Sequence, residues 1–154
     1  MIKLDLQNPY DFETIPAEPF VQQWVDAAIQ NKVDDYSVVI RFVDEDEGLQ
    51  LNQSYRQKNK ATNVLSFPYE MPEIPELREA LIHLGDLVLC EPVVRREALA
   101  QGKPLSQHWA HLIVHGMLHL QGYDHITDAQ AEMMEALEIR ILKSFGFNNP
   151  YITL

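Results

Sequence analysis

The chain has 154 residues, 46% of them hydrophobic and 23% charged, with a single cysteine. These proportions fit one globular domain, 1–154, and exclude disorder, collagen and coiled coil for the bulk of the chain. Cys90, being alone, excludes an internal disulfide and a multi-cysteine zinc site, and a net charge of −11 argues against a general nucleic-acid coat.

Ile2, Leu4 and Leu6 alternate like an edge strand over 2–6. Across Pro19–Lys32, Phe20, Trp24, Ala27 and Ala28 recur at helical spacing, and Pro19 suits a first turn. Tyr36–Val43 is rich in strand-favouring residues. Asp44–Gln57 reads as a helix, acidic at its start and closed by Arg56, as the macrodipole favours, although Gly48 weakens it. Thr62–Phe67 is a strand stopped by Pro68, and Met71–Glu79 a Pro- and Glu-rich surface loop. Leu84–Cys90 is a strand whose Leu-Val-Leu-Cys run implies burial on both faces, with Cys90 a small core residue. Glu91–Gln101 is a helix closed by Gly102, and Pro104–Gln121 a long apolar helix closed by Gly122. The last helix opens at Thr127 with capping-box spacing to Gln130, buries Met134, Leu137 and Ile141, and ends at Lys143 and Gly146. The expected fold is α+β, a small mixed sheet of about four strands packed with several helices. No apolar leader opens the chain and no segment has the length to span a membrane, so the expected location is cytoplasmic.

Charge is unevenly distributed. Leu49–Tyr69 and Ala98–Tyr123 contain no acidic residue, while Arg56, Lys58, Lys60 and Lys103 lie inside them. Two such windows in so acidic a chain are consistent with one surface kept neutral to positive, or with buried elements that have few surface positions.

The densest chemistry is the run H-G-M-L-H-L-Q-G-Y-D-H, His115–His125. His115 and His119 fall one turn apart on one helical face, a spacing that lets two imidazoles reach one cation. Gly122 can end the helix, and His125 can then return to the same point. Three imidazoles with one position open describe a catalytic zinc site; nickel, copper and iron also suit imidazole. His108 and His111 share nearly the same stripe and could support the ligands or face substrate. The spacing is similar to that of zinc peptidases reading H-E-x-x-H-x-x-G-x-x-H, but Gly116 stands where those enzymes carry their general base. Asp124 could act as a base, or simply cap the turn.

The same segment resembles the signature of the bacterial YbeY endoribonucleases, with two further matches, L-N-Q-S-Y-R-Q-K-N-K-A-T-N-V-L-S-F-P (Leu51–Pro68) and L-G-D-L (Leu84–Leu87). The resemblance covers essentially the whole chain. It implies a zinc-dependent endoribonuclease selective for single strands, acting in 16S rRNA 3′-end maturation and ribosome quality control, with the small ribosomal subunit and its assembly proteins as partners. It places the metal on His115, His119 and His125, within a metzincin-like helix, and the family's functional arginine on Arg56. Asn63 is a departure, since many members carry Asp there. On this reading zinc polarises a phosphoryl oxygen or activates water, the Arg56 fork pairs with phosphate, Lys58 and Lys60 position the strand, and His111 contacts substrate. The alternatives are a metallopeptidase of metzincin type and a non-catalytic ribosome-binding factor with a structural zinc.

Overall fold

A computed structural model describes residues 2–32, 35–56, 62–69 and 81–152, without the side chains of residues 56 and 81. Their elements follow the order β1 (Lys3–Gln7), α1 (Glu18–Ala28), β2 (Asp35–Val43), α2 (Glu45–Arg56), β3 (Val64–Pro68), β4 (Leu81–Cys90), α3 (Glu91–Gln101), α4 (Leu105–Leu120) and α5 (Asp128–Ser144). The four strands form one sheet in the order β1-β2-β4-β3. β1 and β4 run parallel to β2, while β3 is antiparallel to β4 and forms an edge. The architecture is therefore α+β with a mixed sheet, as expected.

Alternation in β2 sends Val38, Ile40 and Phe42 to one face, where with Leu87 and Leu89 of β4 they meet α1 and α4. The other face carries Val43, Leu65, Val88 and Cys90 beneath Leu51 of α2. Both faces of β4 are thus covered, which explains its unbroken apolar run, and burial raises the Cys90 thiol above its ordinary pKa. Helix α4 lies between the sheet and α5, so it is apolar nearly all round. No helix of the described residues is long and apolar enough to cross a membrane.

Side-chain caps fix the starts of α2 and α5. Asp44 accepts the Glu47 N–H (2.9 Å) at the start of α2. Thr127 and Gln130 form the complete capping box of α5. Helix α1 stops at Ala28 rather than Lys32, and the reason is tertiary. The Gln121 amide donates to the Ala28 carbonyl (2.8 Å) and accepts the Gln30 N–H (2.9 Å), which takes over the helix end.

Within Leu84–Leu87, Gly85 carries a structural demand. The β2–β4 register shifts there, pairing Ser37 with His83 and Val38 with Gly85. Its φ is +145°, and a Cβ at this position would lie 2.3 Å from the Phe67 carbonyl oxygen of β3. Gly85→Ala is expected to destabilise the fold by at least about 2 kcal/mol, combining backbone strain with displacement of the edge strand. Urea unfolding of the variant checks this, and a midpoint equal to wild type refutes it.

Candidate metal centre

Helix α4 ends in a Schellman turn. The Gly122 N–H donates to the His119 carbonyl (3.0 Å) and the Tyr123 N–H to the Leu118 carbonyl (3.1 Å). Gly122 holds φ +98° at this reversal. The chain then doubles back, and Asp124 accepts the His125 N–H (2.8 Å), holding the turn. As a result His115, His119 and His125 each present a ring nitrogen, all within 4.8 Å of one another. The His125 ring lies 5.7 Å from that of His115 and 5.1 Å from that of His119, centroid to centroid.

The protonation chemistry of this group fits a cation. One carboxylate oxygen of Glu138, on α5, accepts from His115 Nδ1, which leaves the Nε2 lone pair for the cleft. That Nε2 stands 3.1 Å from Nε2 of His119. Two imidazole nitrogens bound tetrahedrally to one zinc ion would stand about 3.3 Å apart. Burial, and then the neighbouring His115 and His125, lower the His119 pKa, so its ring is neutral and ready to ligate at pH 7.

Glu138 itself is fully buried and was not singled out by the sequence. Burial alone would raise its pKa, but hydrogen bonds from His111 and His115, with Tyr151 adding to them, bring it to about 2. Tyr151 donates its hydroxyl to the second carboxylate oxygen; burial and that bond push the phenol well above its ordinary pKa. His111 joins the same group, its Nε2 lying 3.3 Å from the Tyr151 hydroxyl and 3.5 Å from Glu138. His111 thus sits behind His115 and is absent from the described cleft lining. A signal for Glu138 was present: it lies on the apolar stripe between Met134 and Ile141, where an unpartnered carboxylate is costly.

His108 is also turned away from the cleft. It is buried, with Nε2 3.0 Å from Glu97. Glu97 also accepts from the Asn63 amide at 3.1 Å, and these bonds outweigh burial to lower its pKa. The departure at Asn63 thereby acquires a reason, because an Asp here would set a second carboxylate against Glu97.

The histidines floor a cleft of about 680 Å³. One wall comes from Asn52 of α2 and from Thr62–Ser66 and Pro68, the other from the end of α4 with Tyr123 and Asp124. Apart from Asp124 and His125, every described lining residue belongs to one of the two acid-free windows. Arg56 closes α2 one turn after Asn52. Lys58 and Lys60 lie outside the described residues. Gly116 is buried against the sheet, where a Cβ would meet Leu87 Cδ2 at 2.7 Å, so a side chain at the position corresponding to the peptidase base would have to displace that fully buried leucine.

A family model described as endoribonuclease YbeY matches residues 5–146. A protein of Stutzerimonas stutzeri described by the same name is 52% identical over 151 residues, covering 98% of this chain and 92% of that protein. Another, from Pseudomonas putida, is 51% identical over 151 residues, covering 98% and 94% respectively. The solution structure of a Thermotoga maritima protein is similar in fold, with a TM-score of 0.58 at 20% identity and 99% coverage of both chains.

Proposed function

Given that the chain belongs to the YbeY endoribonuclease family, we propose that it hydrolyses single-stranded RNA with one zinc ion held by His115, His119 and His125, in 16S rRNA 3′-end maturation and ribosome quality control in the cytoplasm. The observation that carries this reading is the convergence of both acid-free windows on the cleft that the three imidazoles floor, in a chain of net charge −11. A polyanion meets little repulsion there and much elsewhere, so it is directed to this cleft.

A zinc ion bound there supplies Lewis acidity to a phosphoryl oxygen or to water. The chain's own residues do the rest. Glu138 holds the His115 tautomer that keeps Nε2 unprotonated. Arg56 pairs with the phosphate through its planar guanidinium, stabilising charge that grows in the transition state, and Lys58 and Lys60 position the strand. His111, placed behind His115, acts on the ligand rather than on RNA. The acidic remainder of the surface makes delivery by small-subunit proteins the expected route to substrate.

Incubation with a labelled single-stranded RNA and with casein, each with and without chelator, tests the reading. RNA cleavage that chelation stops and zinc restores is expected, with casein intact; cleavage of casein alone would return the chain to the peptidases. In the same assay Arg56→Ala is expected to keep one zinc per chain and lose most cleavage, and wild-type activity in that variant would remove Arg56 from the mechanism.

A further inference from the structure

A second cleft of about 540 Å³ adjoins the first. Gly122 and Tyr123 line both. On the opposite wall, Pro68 lines the first cleft and the next residue, Tyr69, lines the second. Among the described residues nothing lies within 4 Å of the place a Cβ of Gly122 would occupy, so none of their side chains stands on the saddle between the two at that residue. None of the described residues lining the second cleft is acidic. The described lining therefore continues past Gly122 without a carboxylate, Asp86 being engaged with His83.

The chemistry changes along the way. Tyr69 is 54% exposed, yet well anchored. Its N–H donates to the Leu84 carbonyl (3.0 Å), and its ring packs edge to face with His83 at 5.6 Å. His83 is itself held on both sides, with Nδ1 2.9 Å from the Ser37 hydroxyl and Nε2 3.1 Å from Asp86. An aromatic ring that is accessible but already braced loses little freedom when a planar group stacks on it. Single-stranded RNA is recognised in this way, through splayed bases stacked on aromatic side chains while cationic groups hold the backbone.

We infer that the second cleft is a nucleobase subsite, in which Tyr69 stacks a base of the same strand whose phosphodiester lies at the histidine centre. This inference rests on the ribonuclease reading and extends it to strand length: the enzyme engages RNA beyond the scissile linkage. A ten-nucleotide strand offers several bases on either side of an internal linkage, whereas a trinucleotide offers at most two on one side, so the longer strand fills the second cleft more often.

Cleavage kinetics of the zinc-loaded full chain on three- and ten-nucleotide single-stranded RNAs at low ionic strength test it. Wild type is expected to show a lower KM for the longer strand. Tyr69→Ala is expected to shrink that length preference about tenfold, within the range typical of one base–aromatic stack, while Tyr69→Phe and Tyr69→Trp retain it. Thermal melting checks that each variant is folded. A Tyr69→Ala variant with the wild-type length preference overturns the subsite while leaving the ribonuclease reading intact, and assigns the cleft to another occupant such as a protein segment. A wild-type chain that cleaves neither RNA overturns both.

Discussion

His119→Ala is expected to abolish RNA cleavage while leaving a folded protein. The ring supplies one of three convergent nitrogens, and its Nε2 is the one that faces His115 at 3.1 Å. With two imidazoles left, zinc occupancy falls sharply, and the Lewis acid's contribution to the transition state goes with it. That contribution is several kcal/mol, and 1.36 kcal/mol is tenfold in rate, so a loss of at least about a thousandfold is expected. Folding should be little affected, because the ring is half-buried at the cleft floor and burial already disfavours its charged form. The measurement is cleavage rate together with elemental zinc and a melting curve. A folded variant that cleaves like wild type would end the metal reading. A wild-type chain that unfolds on chelation would assign the zinc to structure instead.

Glu138→Gln should produce the second large effect, on stability and zinc affinity together. The carboxylate accepts from His115 on one oxygen and from Tyr151 on the other. Glutamine has one carbonyl oxygen, so one of these donors would face an NH₂ group and lose its partner, at about 1–3 kcal/mol. The hydrogen bonds around the carboxylate, these two among them, are what hold it at about 2 rather than 4.5, which sets their combined contribution at about 3 kcal/mol of folding stability. The sign follows from the lowered pKa: this stability is fully present above pH 4.5 and is lost as pH falls toward 2. Glu138→Gln should therefore unfold at lower urea at pH 7, and its acid-unfolding curve should lack that part of the pH dependence. Zinc affinity, read by competition with a chelating dye, should fall about 10- to 100-fold, because the carboxylate sets the His115 tautomer and its basicity. Wild-type zinc affinity and wild-type unfolding in this variant would remove Glu138 from the centre.

These two residues differ in how visible they were. His119 stands in a run whose i, i+4 spacing and terminating glycine are local properties, so its face and its partner His115 follow from helix geometry alone. Glu138 lies 23 residues from His115, and only the packing of α5 on α4 brings them together. His111 shows the same division. Its place on the histidine stripe was legible, but the presence of Glu138 and Tyr151 beside it, away from the cleft lining, was not.

Element order, the acidic start of α2, the capping box at Thr127, the helix stop at Gly122, the two-faced burial of β4 and the convergence of the three imidazoles were legible in the amino-acid sequence. All of these depend on backbone hydrogen bonding and apolar periodicity within one or two turns. Tertiary structure alone decided that α1 ends at Ala28 under the Gln121 amide, that Gly116 packs against the Leu87 side chain, and that the acid-free windows form opposite walls of one cleft. It also decided which carboxylate steadies the candidate ligand. A buried polar group must find its partner wherever the packed helices place one, and that partner need not be near in the chain.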